Sequence, residues 1–362
     1  MNTYNENLFK KLKEYTEIDG MSRFEDDVVA KLKESTHNLP VDYERDGLGS
    51  LIIQTKQNKD KKIKILVAAH MDEIGLMVLD VTEKGFIKVK SVGGIWGNVL
   101  IGAKVQLITS TDKEFFGVVG HTSVHILESH KIKEALKVSD LFVDFGFSSK
   151  KEAEEAGVQP GDRIYLKNET FLFNNKDFVA GKAIDNRSGV VVIDELAHRL
   201  ANKDLPNNPI LVGTVQEEVG SRGAKMVAKK YDATIAFAID TGASHDTEGA
   251  IPGIQKLGAG VAISVADAGT MMDPKIVKIL EKIAKKYSIP FYKYVSQGGG
   301  TDADELQFSA YGTPTVSISI PQRYLHSTYG VVSLKDIEAA INLIEKFILE
   351  FDNEQLSKVV YK

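Results

Sequence analysis

Residues 209–224 read Pro209-Ile210-Leu211-Val212-Gly213-Thr214-Val215-Gln216-Glu217-Glu218-Val219-Gly220-Ser221-Arg222-Gly223-Ala224. An apolar run ends in two acids, glycines follow, and an Ala/Lys-rich helical pattern begins. The stretch therefore reads as a strand, a turn and a helix start. Two carboxylates at the carboxyl end of a parallel strand lie where open α/β sheets place ligands and chemistry. A solvated strand end whose acids favour the next helix N-terminus would look the same. The remaining acidic and histidine strand ends decide between the two.

Composition narrows the classes. The chain has 362 residues, 43% hydrophobic and 26% charged, enough for two domains and a large core. A formal charge of −5 and the lack of a Lys/Arg stripe interleaved with aromatics argue against a nucleic-acid partner. No apolar run approaches the ~20 residues that span a bilayer, so no membrane partner is expected. The opening, MNTYNENLFKKLKEY, lacks the apolar segment of a signal peptide, which predicts a cytoplasmic protein. There are no cysteines, so any metal must be held by His, Asp and Glu.

In chain order, Leu8, Phe9, Leu12 and Tyr15 have helical spacing over residues 6–17, and Ser22 with Glu25 reads as a capping box before a helix running to about Leu39. Short strands are predicted at Val41 to Glu44 and Leu51 to Thr55, around the Asp46-Gly47-Leu48-Gly49 turn. Ile63 to Ala69 is a near-continuous apolar strand, the pattern of a sheet covered on both faces. It runs into His70-Met71-Asp72-Glu73. His70 and Asp72, two apart on an extended segment, share a face. That spacing suits a metal-binding imidazole and the carboxylate that orients it, or a surface pair.

From about Glu73 to Lys167 short strand-like runs alternate with glycine turns, including Gly93-Gly94, with one helix near Lys150 to Gly157 and an end at Pro160-Gly161-Asp162. This reads as an all-β insertion at 73–167 that splits an α/β domain into 1–72 and 168–362. His121, His125 and His130 lie inside it at spacings without a metal signature. Beyond it, Asp185 precedes the helix Val190 to Leu200, where an N-cap is the ordinary reason for an Asp. Thr234 to Ile239 is a buried strand ending in Asp240. A helix over Asp273 to Ser288 and a strand over Phe291 to Val295 lead into Gly298-Gly299-Gly300-Thr301-Asp302, a loop able to present N–H groups to an anion. The strand Thr315 to Ile320 runs on to His326, and a helix from Lys335 to about Phe351 ends the domain.

His70, Asp185, Glu218, Asp240 and His326, with Asp72 and Glu217 beside them, all fall at element ends. Two imidazoles and three carboxylates suit two divalent ions ~3.5 to 4 Å apart, with one carboxylate bridging and positions left for water and substrate. The remaining acid of the Glu pair would take a proton from a metal-bridging water and pass it to a leaving amine. Consecutive residues of a regular strand face opposite ways, so both acids serve one site only if the chain has already turned. Gly220 permits that.

The motifs AAHMDEIG, GKAIDNRSG, QEEVGSRGA, AIDTG and YLHS, in this order along essentially the whole chain, resemble the M42 family of metallo-aminopeptidases. That group includes bacterial glutamyl aminopeptidases and the tetrahedral archaeal aminopeptidases. The resemblance implies a mixed-sheet α/β/α dinuclear-metal peptidase domain with a smaller inserted all-β domain used for subunit contact, and a homododecamer. It implies that His70 and Asp240 hold one metal, that Glu218 and His326 hold the other, and that Asp185 bridges them. Glu217 would be the general base, and Asp72 would orient His70. Short peptides would lose their N-terminal residue. Zinc, cobalt and manganese all suit such ligands. Acidic-, leucine- and lysine-preferring members all occur, and Arg222 is either a cation for an acidic substrate or a plain helix-start cation. Three rival readings stand beside this one: an M20-type metal-dependent deacylase or carboxypeptidase, a metal-free glycosidase with carboxylates roughly 5 to 9.5 Å apart, and a non-catalytic assembly module.

Overall fold

The computed structural model describes residues 3–361. The chain opens with α1 (Thr3–Thr16) and α2 (Asp26–Thr36), then β1 (Val41–Arg45), β2 (Leu51–Thr55) and β3 (Lys64–His70). Next come β4 (Gly75–Val81), β5 (Ile87–Val92), β6 (Lys104–Ile108), β7 (Glu114–Gly120), β8 (Phe142–Asp144), α3 (Lys150–Ala156) and β9 (Arg163–Leu166). They are followed by β10 (Phe171–Leu172), β11 (Phe178–Gly181), α4 (Ile184–Leu200), β12 (Asn208–Thr214), α5 (Arg222–Lys230), β13 (Ile235–Ala243) and β14 (Val261–Ala266). The last elements are α6 (Pro274–Lys286), β15 (Phe291–Val295), α7 (Ala303–Leu306), β16 (Thr315–Arg323), β17 (Gly330–Ser333), α8 (Leu334–Glu350) and α9 (Asn353–Val359).

One mixed sheet runs β1-β2-β12-β3-β13-β16-β17-β11-β10, and β14 joins β15 to β16. Its centre is parallel, through the β12–β3, β3–β13 and β13–β16 ladders. All seven residues of β12 are buried, as expected of strands covered on both faces. Pro209 is tolerated there because the ladder to β2 begins only at Ile210, so its missing N–H costs no bond on that side. Phe237 on β13 meets Phe347 of α8 edge-on, with ring centroids 4.8 Å apart. By strand alternation Asp240 then faces away from α8. The side-chain period thus delivers an acid to the opposite face of an otherwise apolar strand.

Strands β4 to β9 close into a barrel in the order β4-β5-β8-β7-β6-β9, with every ladder antiparallel. Leu76, Ile87, Val105, Leu107, Val143 and Ile164 fill it, a core separate from that of the mixed sheet. Where the barrel leaves β3, the junction is held by charge. Lys182 Nζ lies 2.7 Å from Glu73 Oε1, and both side chains are buried. Arg187, fully buried, donates to the carbonyls of Met71, Tyr15 and Ile18 at 2.8, 2.6 and 3.0 Å. Removing one member of such a network leaves buried polar groups unmet, at a cost of about 3 kcal/mol or more.

Several expectations are corrected. There is no Ser22–Glu25 capping box: the α2 N-terminus has no side-chain cap, and Ser22 Oγ donates to Asp72 instead. Strand β13 continues through Ala243, so Asp240 lies within the strand. Likewise β16 extends to Arg323. Pro160-Gly161-Asp162 does not end the barrel, because it turns the chain into β9, which pairs with both β4 and β6. Strands β8, β10, β11 and β17 carry only two to four residues each, too few to show a period.

Candidate active site

The Glu217-Glu218 turn is built by Asp72. Its Oδ1 accepts the Glu217 N–H at 2.9 Å; its Oδ2 accepts the Glu218 N–H at 3.2 Å and the Ser22 hydroxyl at 2.5 Å. Glu25 Oε1 takes the Gln216 N–H at 3.0 Å. Gln216 is left-handed at φ +58° and Gly220 lies at φ +114°. Strand β12 has therefore ended at Thr214, and the two consecutive acids line the same cavity.

Asp185 arrives on an irregular first turn of α4. Asp185 and Asn186 have non-helical dihedrals, and the cap position is Ala183, without a side-chain bond. The ordinary N-cap explanation for Asp185 therefore does not apply. Asn186 anchors the turn by donating to the Ile239 carbonyl at 2.7 Å and accepting the Gly189 N–H at 3.0 Å. The Asp185 carboxylate then lies between two imidazoles, with Oδ1 3.0 Å from His70 Nε2 and Oδ2 3.4 Å from His326 Nε2. Asp240 Oδ1 is 3.5 Å from His70 Nε2, and Glu218 Oε2 is 3.6 Å from His326 Nε2. On its far side His70 Nδ1 lies 3.1 Å from the Asp72 carbonyl and 3.4 Å from its carboxylate. Glu217 Oε2 lies 3.9 Å from His70 Nε2, beyond hydrogen-bond reach.

Two triads emerge, His70–Asp185–Asp240 and Asp185–Glu218–His326, each with potential ligand atoms within 4.8 Å of one another. Asp185 belongs to both. Neighbouring donors around a tetrahedral ion with bonds of about 2.0 Å lie about 3.3 Å apart, and the contacts above bracket that value. Charge points the same way. Among the described residues lining the cavity there is no Lys or Arg. Burial pushes the Glu218 carboxyl up to about 8, with Asp185 adding to it, and burial likewise raises Glu217 and Asp240. Burial opposes protonation of His70, but Asp240 and Asp185 hold its pKa well above the usual value. The hydrogen bond to Asp185 leads the rise of His326 to about 9. Glu218 Oε1 is buried without a hydrogen-bond partner. Carboxylates crowded together without a fixed cation, one of them with an orphaned oxygen, fit divalent ions.

Five residues escaped the sequence reading as contributors to the site. Asp302, quoted there only within a glycine loop, is buried and accepts the Thr214 hydroxyl. Burial raises its pKa to about 7, and Asp240 and Asp72 add to the rise. Ser22 and Glu25 had been read as a cap. The barrel's Gly93-Gly94 also reaches the site: a Cβ on Gly93, at φ +82°, would stand 3.0 Å from Glu218 Oε2, and one on Gly94 would stand 3.4 Å from His326 Nδ1. His121, His125 and His130 are exposed and belong to neither triad. Exposed Arg222 does not line the cavity, and its Nη1 lies 3.5 Å from Gln216 Oε1.

Residues 49–343 match the family model described as M42 glutamyl aminopeptidase. The chain belongs to the M42 family. It is 33% identical to a glutamyl aminopeptidase of Lactococcus lactis, over 97% of this chain and 99% of that one. It is 31% identical to a lysyl aminopeptidase of Pyrococcus furiosus, over 94% and 96%. The fold matches Pyrococcus horikoshii TET1 peptidase, which can assemble into a tetrahedron or a large octahedral shell, with a TM-score of 0.84, 32% identity and coverage of 95% and 100%. The protein is accordingly an aminopeptidase, a hydrolase acting on peptide bonds, as the motif order led us to expect. Among the described residues no helix is long and apolar enough to cross a membrane.

Asp72 supports the site without lining its cavity. In Asp72→Asn one carboxylate acceptor becomes a donor, so at least one of three buried donors loses its partner, at a cost of about 1–3 kcal/mol. The expected outcome is a lower urea midpoint together with reduced peptidase activity; an unchanged midpoint and full activity would show that the clasp is dispensable.

Proposed function

We propose that the protein removes the N-terminal residue of short peptides at a site holding two divalent ions, with Glu217 as general base. The observation that carries this reading is the sharing of Asp185 between the two triads. His70 and Asp240 would hold one ion and Glu218 and His326 the other, with Asp185 between them. Zinc, cobalt and manganese all suit these donors. When bound, the ions would polarise the scissile carbonyl and lower the pKa of water.

The chain's own groups do the rest. Glu217 takes a proton from the attacking water and delivers it to the departing amine. Ser221 Oγ, 3.4 Å from Glu217 Oε1, and the Asp72 bond to its N–H hold that carboxylate over the cavity. Asp72 fixes the direction of His70 through the Nδ1 contacts. Crowding of the triad acids within 4.8 Å disfavours the glycosidase alternative, whose carboxylates must straddle a sugar. The all-β segment 73–167 would serve subunit contact in a homododecamer within the cytoplasm, with residues 1–72 and 168–362 forming the catalytic domain.

Chelator should abolish turnover of free-amine aminoacyl substrates and added cobalt, zinc or manganese should restore it, whereas N-acetylated analogues stay inert. Turnover of acetylated substrates in chelator would sink the proposal, and turnover of acetylated but not free-amine substrates with metal present would favour the metal-dependent deacylase. The two adjacent acids should part company. Glu217→Gln is expected to keep its metal and lose ~10² to 10⁴-fold in kcat, while Glu218→Gln loses metal as well as rate. Metal analysis alongside steady-state kinetics checks both, and near-native kcat in Glu217→Gln would remove it from this role. For the assembly, light scattering at micromolar concentration should report a mass near twelve subunits; a monomer would refute it.

A further inference from the structure

The cavity, about 350 Å³, extends well beyond the acid and imidazole cluster. Its far part is lined by Ser264, Asp267, Tyr294, Ser296, Thr301 and the backbone of Gly298 to Gly300. Asp240 pairs with Ser319 of β16, and Ser319 pairs with Ala262 of β14. Strand β14 therefore lies two strand spacings, about 10 Å, across the sheet from Asp240. Asp267 follows the end of β14, five residues beyond Ala262, and therefore stands farther than that spacing from Asp240. Its carboxylate is fixed, since Oδ1 accepts the N–H groups of Gly269 and Thr270 at 3.0 and 2.7 Å. Its other oxygen, Oδ2, is buried and has no partner. Cations on nearby elements are already engaged: Lys293 lies 2.9 Å from Glu281, and Arg323 lies 2.6 Å from Asp246. Burial raises the Asp267 pKa, and the neighbouring Asp304 carboxylate adds to the rise, as expected of an acid lacking a counter-ion.

We propose that Asp267 determines side-chain specificity and that the enzyme prefers a cationic N-terminal residue, lysine or arginine. This rests on the aminopeptidase reading above. An N-terminal residue anchored at the acid cluster needs a long side chain to reach Asp267, and only a cationic donor gives Oδ2 a charged partner. A glutamyl side chain would meet a like charge with no lining Lys or Arg to offset it. A leucyl side chain would gain little, because much of the wall is hydroxyl and backbone.

The test is a metal-loaded panel of lysyl, arginyl, leucyl and glutamyl chromogenic substrates. Lysyl and arginyl kcat/KM should exceed leucyl by tenfold or more and glutamyl by more than that. Best turnover of leucyl or glutamyl substrate overturns the specificity while leaving the aminopeptidase reading intact; inert free-amine substrates would sink that reading itself. Calorimetry of lysinamide and leucinamide on Glu217→Gln ranks the ligands without turnover, and equal affinities would count against Asp267. In Asp267→Asn the Oδ1 acceptor is kept and the charge is lost. The lysyl-to-leucyl ratio should then fall about tenfold or more, the scale of one charge-assisted hydrogen bond. Asp267→Lys should raise the glutamyl-to-lysyl ratio. Each ratio is internal to its variant, so partial misfolding cancels, and ratios unmoved in both variants refute the assignment.

Discussion

Everything at this site hangs on the Asp72 carboxylate. It is fully buried, yet it accepts two consecutive backbone N–H groups and a hydroxyl and also faces His70. An ionised group so placed is tolerable only when its lone pairs are met. The donors that meet them come from the α1–α2 loop and from the turn after β12, so solvating one charge joins segments far apart in sequence. That bond also converts Glu217 and Glu218 from opposite-facing strand residues into neighbours in one cavity. Burial raises the Asp72 pKa, but His70 and these donors win and hold it below the usual carboxylate range.

Around this clasp the protein separates two kinds of buried charge. At the barrel junction Glu73 meets Lys182 and lies 3.6 Å from Arg187, so its charge is balanced within the chain. In the cavity Asp185, Glu217, Glu218 and Asp240 face two imidazoles and, among the described residues, no Lys or Arg, and several of them are pushed towards protonation. The first arrangement is complete in itself and gives rigidity. In the proposed reading the second would be balanced by cations from outside the chain, and the energy of ion binding would then become energy of site organisation.

The parallel centre of the sheet was readable because Ile63 to Ala69 and Pro209 to Val215 are near-continuous apolar runs, whose only polar residues are Lys64 and Thr214. Glu217, Glu218 and Asp240 were readable because they follow such runs, and Asp185 because it precedes an apolar helix. Less visible were contacts that depend on three-dimensional proximity. Ser22 and Glu25 have capping-box spacing, and nothing local reveals that Asp72 and the Gln216 N–H compete for them and win. Asp302 is shielded by glycines that suggest a loop, whereas its partner Thr214 lies far off in sequence at the end of β12. The short strands β10 and β17 hold their places through ladder partners, not through any pattern of their own.

The approach of Gly93 to Glu218 and of Gly94 to His326 has a consequence for how the chain can be divided. These glycines follow β5, a barrel strand, yet Gly94 walls the cavity and Gly93 approaches Glu218, beside residues carried by the mixed sheet. A minimal peptidase made by excising the barrel would lose that wall, and His326, already partly exposed, would be opened further. The barrel is therefore part of the enclosure in which the chemistry happens, and a bulkier residue at either glycine would press on the site from outside the sheet that carries its acids.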